Sequence, residues 1–355
     1  MKKSGRNSNI ELLRIILIIM VITLHFNNGD MGGGFNMVQD NMLGRVILYL
    51  LESLSICAVN CFMIISGYFL AYNKKVKLGK IVDLLLIVIF YRVAEYFVII
   101  VFSQADFSVV KFAGKLLPVN YFAIFYIVTY IFSPYISKLF DSVNKISQKL
   151  LIEISLLIFV IWPTITDVIM NIVPSLPLDG VSTISTSGNL AGYSVVQFFV
   201  DVLIGMYLRR SNLNPKIGLL ITGYLISVVI MTFGIFKITS LYNYCSIFTV
   251  ISATCLFLLF NKLSIQSKLI NFISKSVFAI FCIHTLPLTN LLWVKYFITP
   301  EHISMSTGKM VIWTFISIII MFLFCLIIDI FVRYTFGLLK NKICSKCPTI
   351  ISIEE

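Results

Sequence analysis

Apolar residues fill this chain in long runs, each broken by a short polar stretch. The runs fall near residues 9–27, 46–72, 81–103, 119–137, 150–167, 192–208, 217–236, 242–260, 274–297 and 309–332. A helix rises 1.5 Å per residue, so about 20 apolar residues match roughly 30 Å of hydrocarbon. The pattern therefore predicts an all-α, polytopic bundle of about ten transmembrane helices. It forms one membrane-embedded domain over residues 1–355, with spans over 9–332 and a short basic tail over 333–355. No long polar stretch is left to build an additional soluble domain.

Composition agrees: 59% of the 355 residues are hydrophobic and 12% are charged. The formal charge of +12 raises the possibility of a nucleic-acid partner, and the placement of the 28 basic residues excludes it. Arg14 and Arg92 lie inside spans. Arg45, Lys111, Lys115, Lys237, Lys295 and Lys309 fall outside or at the outer margin. The rest cluster on the side holding the N-terminus, the positive-inside pattern of a protein with both termini in the cytoplasm. The first span has no small-residue cleavage site after it and carries charge within its apolar run, so it reads as a retained helix. Six of the eight cysteines lie in apolar segments, as small hydrophobes. Cys344 and Cys347 make a lone CxxC without the second ligand pair a metal site needs, so no metal is expected.

Chemistry enters with the polar residues inside the spans. "ELLRIILIIMVITLHF" places Glu11, Arg14 and His25 in the first span. At 100° per residue Arg14 and His25 fall within roughly 20° of each other, about 16 Å apart along the axis, and Glu11 precedes Arg14 by three. Such a face points into protein or a wet cavity, since a charged side chain in lipid costs about 2.5–3.5 kcal/mol on insertion scales. His25 is the general-base candidate, its unperturbed pKa being near 6.5. Arg14 could hold one end of a long ligand. The bland reading is a Glu11–Arg14 structural pair and a histidine bonded to a neighbouring helix.

The second span ends "AVNCFMIISGYFLAYNKKVKLGK". Asn60, Ser66 and Tyr68 bring polar atoms to the cavity, and Gly67 suits close helix packing. Lys74, Lys75, Lys77 and Lys80 read either as a solvated loop or as an anion site for a phosphorylated ligand. Gln197 and Asp201 share a face of the sixth span and are expected to line the same cavity, as is His284. His284 in "SVFAIFCIHTLPL" suits a helix-to-helix hydrogen bond or a direct role. Arg92 and Glu95, three apart, read as a structural ion pair.

Together these segments resemble the membrane-bound acyltransferase-3 family, bacterial acyl-CoA-dependent O-acyltransferases of surface glycans. The likeness rests on "NIELLRIILIIMVITLHF", "VNCFMIISGYFL", "YFAIFYIVTYIFSPYI", "FFVDVLIGMYLRR" and "SKSVFAIFCIHTLPL", and runs from about residue 7 to 335. It implies a multi-pass protein of the bacterial plasma membrane that transfers an acyl group, most simply acetyl from acetyl-CoA, to a hydroxyl of a surface polysaccharide or its lipid-linked precursor. His25, Arg14 and Glu11 would carry the chemistry. Arg14 with Lys74, Lys75, Lys77 and Lys80 would handle the donor, and no tightly bound cofactor is expected. Many relatives carry RxxR after the SGY helix; here Lys77-Leu78-Gly79-Lys80 keeps the charge without arginine's bidentate fork. The rival readings, a transporter or flippase of lipid-linked glycans and a glycan polymerase, lack their usual signs. No internal repeat is evident, and the loop at 168–191 is poor in charge.

Overall fold

The computed structural model describes residues 7–353 apart from 30, 39, 104–105, 174, 177–192 and 299–305. Most of the outer loop expected over 168–191 thus lies outside the described residues. Among the described residues, eight segments are helical, long and apolar enough to cross a membrane, or nine if one bent helix pair counts as a span. A helix over Val195–Ser211, 17 residues long, stands where the sixth span is expected.

Helix α1 (Ser8–Asn27) is the axis of the bundle, and 72% of its apolar window is buried. Around it come α2 (Met42–Ser55) and α3 (Ala58–Leu70), which follow one another as one broken span. A short strand, β1 (Lys75–Lys77), leads into α4 (Leu78–Ser103). Next are α5 (Val109–Leu116), α6 (Tyr121–Ser142), and α7 (Lys145–Leu156) joined through a π turn to α8 (Trp162–Ile172). Then follow α9 (Val195–Ser211), α10 (Ile217–Gly234), α11 (Ile247–Asn261) and α12 (Lys268–Ile273). The chain closes with α13 (Val277–His284), α14 (Pro287–Phe297), α15 (Thr307–Thr335), α16 (Gly337–Ser345) and a second strand, β2 (Thr349–Ser352). Polar caps start several helices: the side chains of Asn41, Asn120 and Ser194 accept from backbone N–H groups in the first turns of α2, α6 and α9.

Two places show how the backbone meets the demand that its polar groups be paired away from water. Pro134 inside α6 has no N–H to offer the carbonyl of Tyr130, and the Ser133 hydroxyl donates to that oxygen at 2.7 Å. In the ninth expected span the helix does not run straight. It bends by 81° between α13 and α14, because Pro287 opens the new helix and forces Leu286 into an extended conformation.

Helices α3 and α9 touch backbone to backbone. A Cβ on Gly67 would collide with the Val202 carbonyl oxygen, and one on Gly205 with the Ile64 carbonyl oxygen. Small residues at both positions are what allows this approach.

The expected Arg92–Glu95 pair does not form. Glu95 instead receives Lys115 Nζ at 2.8 Å and the Leu288 N–H at 2.9 Å, while Arg92 donates to the carbonyls of Gly114 and Val119. Glu95 faces the bundle and is 3% exposed, so it takes the partners that the start of α14 and the end of α5 bring inward. Glu95→Ala leaves that N–H and Lys115 without an acceptor. It should destabilise the detergent-solubilised protein by about 1–3 kcal/mol, read as a lowered thermal unfolding midpoint.

Candidate active site

The α1 stripe expected from its periodicity lines a cavity of about 410 Å³. Arg14, Ile18 and Val21 face it, at the helical spacings of one side. Val59, Phe62 and Ser66 of α3 form a second wall, Phe122, Ala123 and Tyr126 of α6 a third, and Phe278 and Phe281 of α13 a fourth. Its middle is therefore apolar and aromatic.

One end is ionic. Arg14, Lys80, Lys275 and Lys340 line it against two carboxylates, Glu11 and Asp83, which leaves a positive excess. Arg14 Nη1 lies 3.5 Å from Glu11 Oε1, a loose pair with a third of the arginine side chain exposed. Lys340 Nζ meets Asp83 Oδ1 at 2.7 Å. Lys80 lies over the Tyr130 ring at 4.3 Å from its centre, a cation–π contact that holds the ammonium in place.

Beyond the other end the α1 stripe reaches His25, one turn past Val21. The His25 Nδ1 is 2.8 Å from Nε2 of His284, and His284 Nδ1 is 2.7 Å from the Ile280 carbonyl oxygen. A carbonyl can only accept, so in the neutral pair His284 carries its proton on Nδ1 and presents a lone pair on Nε2. His25 must then donate from Nδ1. Its own lone pair stands on Nε2, directed away from its partner. This is the tautomer a general base needs, fixed by a second residue as the orienting member of a catalytic pair fixes its imidazole. His284 is fully buried while His25 is partly exposed, so the outer member of the pair is the accessible one. Phe281 stands edge-on to His284, 5.8 Å between ring centres, and lines the cavity.

The remaining residues singled out in the sequence divide among several places. Ser66 lines the cavity, its hydroxyl bonded back to the Phe62 carbonyl at 2.8 Å. Tyr68 does not line it; its hydroxyl accepts from Arg209 at 2.8 Å. Contrary to expectation, Asn60, Gln197, Asp201 and His284 do not line the cavity: His284 is turned to His25, and the other three form a separate buried cluster. Asn60 Nδ2 donates to Asp201 Oδ2 at 3.0 Å and Gln197 Nε2 to Asp201 Oδ1 at 3.2 Å. Of the four loop lysines, Lys80 alone lines the cavity. Lys74 borders a different depression with Lys138 and Asp141, and Lys75 and Lys77 point outward from β1 on either side of the buried Val76.

Sequence reasoning missed Lys275, Lys340 and Asp83 as cavity residues. The two lysines read as ordinary members of the positive-inside set, and nothing in their spacing links them to Arg14. It also missed Asn27 and Glu52, paired at 2.8 Å just beyond the histidine turn. Among the described residues no group of His, Cys, Asp and Glu is arranged to hold a metal ion.

No curated protein and no solved structure matches the chain. A family model described as an acyltransferase domain matches residues 7–330, nearly the whole chain and every element that forms the cavity walls except α16. With that match spanning both the basic end of the cavity at Arg14 and the tautomer-fixed histidine pair, the chain belongs to the acyltransferase-3 family.

Proposed function

We propose that this protein transfers an acyl group, in the simplest case acetyl, from its coenzyme A thioester at the cytoplasmic face to a hydroxyl of a surface polysaccharide or lipid-linked precursor outside. The observation that carries the reading is the shape and charge of one cavity. It is cationic at the end shared with the N-terminus, apolar along its length, and aligned with an oriented imidazole about 16 Å further along α1. A phosphorylated, elongated donor with a thioester at its far end has the same sequence of properties. The positive-inside charge pattern supports this reading: with the termini in the cytoplasm, the basic end stands where acyl-CoA is available.

In this reaction the acceptor hydroxyl gives its proton to His25 Nε2 as its oxygen attacks the thioester carbonyl carbon. The carbon–sulfur bond then breaks, and the leaving thiolate takes the proton back from His25. The products are an ester and free coenzyme A. His284 keeps Nδ1 of His25 protonated throughout and stabilises the charge that develops on the ring. Arg14 holds the donor, and Glu11 balances Arg14. Placing two reactants beside an oriented base supplies the rest of the acceleration through proximity.

The test is direct transfer. Proteoliposomes holding the purified protein are given acetyl-CoA radiolabelled in the acetyl group on the face that carries the termini, with acceptor glycan fractions on the other. Label appearing in a glycan fraction, alkali-labile as an ester must be, supports the reading and names the acceptor class. Label that never leaves coenzyme A with any glycan or lipid-linked acceptor rules it out.

A further inference from the structure

The cationic end of the cavity is not completed by the transmembrane bundle. Lys340 belongs to α16, and α16 is held down by the strand at its C-terminal side. Strand β2 pairs antiparallel with β1, with Lys75 opposite Ser352 and Val76 opposite Ile351. The ladder is extended at both ends: the Leu78 N–H donates to the Pro348 carbonyl at 3.1 Å, and the Ile353 N–H to the Lys74 carbonyl at 3.0 Å. Val76 beneath it is fully buried.

The start of α4 is flush with this tail. A Cβ on Gly79 would collide with the Cys344 carbonyl oxygen, a backbone atom that cannot swing aside. One turn further on, Asp83 takes Lys340 at 2.7 Å. Lys340 thereby reaches the wall of the main cavity and also that of a second, largely apolar cavity of about 380 Å³ between α4, α13 and α15. Lys275 stands at the same shared rim and, among the described residues, makes no hydrogen bond or ion pair. Three cations from three distant parts of the chain, Lys80, Lys275 and Lys340, thus converge on one opening. Among the described residues, only Lys340 of the three has a carboxylate partner there.

We propose that the tail, latched by β2 onto β1, is a structural part of the donor mouth, and that Lys340 with Lys275 binds phosphate groups of the incoming ligand. The inference rests on the acyl-CoA reading above. It assigns the phosphate contacts to the tail and to the turn before α13 rather than to the Lys74–Lys77 stretch, whose backbone serves as the latch. A phosphate entering between Lys275 and Lys340 gains two charge-assisted contacts and takes the place of Asp83 as counter-ion.

The experiment measures coenzyme A binding by calorimetry with the full-length protein in detergent. Lys340→Ala should weaken binding about tenfold, the loss of one charge-assisted contact. The salt dependence should become shallower, the KM for acetyl-CoA should rise by a similar factor, and Lys340→Arg should restore most of the affinity. Gly79→Ala removes no charge but displaces the tail, and should weaken binding comparably. Lys149→Ala, which removes a cation paired with Glu153 on the exposed face of α7, should bind as wild type does. If Lys340→Ala and Gly79→Ala both bind coenzyme A like wild type, the tail has no part in the mouth, while the donor reading stands. If Lys340→Ala loses affinity for nanodiscs rich in phosphatidylglycerol but none for coenzyme A, the cations hold a lipid headgroup and the inference is overturned. Wild-type protein that binds no coenzyme A at all overturns both.

Discussion

His25→Ala should slow acyl transfer by roughly 10²–10⁴-fold at equal protein abundance, the span that a positioned general base contributes. The more informative variants lie across the helix interface. His284→Phe keeps a ring of similar size against Phe281 but removes the acceptor for His25 Nδ1–H. The imidazole of His25 is then free to adopt the other tautomer or to turn. Transfer should fall at least about 10²-fold, as it does when the orienting member of a catalytic pair is lost. His284→Gln returns an acceptor oxygen and should recover a measurable part of that loss, which a purely space-filling role for His284 would not. Initial rates of label transfer at saturating acetyl-CoA decide the matter. Equal rates for wild type and His284→Phe would mean that the pair does not set the base.

The second large effect is on the fold. Gly205→Val or Gly67→Val drives a branched side chain into the backbone of the facing helix, where the obstructing atoms are the carbonyl oxygens of Ile64 and Val202. Neither helix can yield locally, because both are packed over their length. Overpacking of a rigid contact costs about 3 kcal/mol or more. The expected result is loss of monodisperse protein on size-exclusion chromatography after solubilisation. Gly218→Ala, at a position in α10 with open space around it, should be neutral or slightly stabilising. Monodisperse Gly205→Val with an unchanged melting temperature would show that α3 and α9 can separate without cost.

How far the sequence could be read depended on the range of the interaction. The common face of Glu11, Arg14 and His25 followed from helical period, and the membrane class and most span positions from the length of the apolar runs. The run over 274–297 read as one span, and the 81° bend at Pro287 went unpredicted because a proline alone does not decide between a kink and a break. Pairings between residues distant in the chain were beyond reach. His284 stands 259 residues from its partner, and nothing local distinguishes a histidine that orients another from one that fills a core. Arg92 and Glu95 illustrate the converse. Their spacing allows a pair, and tertiary partners with better geometry took both. The basic residues around Arg14 were hidden because topology alone already accounts for lysines at that membrane face.

Helix α1 is made long before some of the helices that complete its surroundings. Two of its polar side chains find their partners far along the chain: Asn9 donates to the Phe260 carbonyl of α11 and His25 pairs with His284 of α13, 251 and 259 residues later, whereas Asn27 meets Glu52 of the neighbouring α2. Until then the helix rests in the bilayer on its mean hydropathy of 2.0 and on packing against α2 and α3, which follow it directly. Insertion of α1 with α2 and α3 can therefore precede the docking of α11 and α13, which supplies those two partners. Until α13 arrives, the His25 end of that face lacks the partner that orients its imidazole.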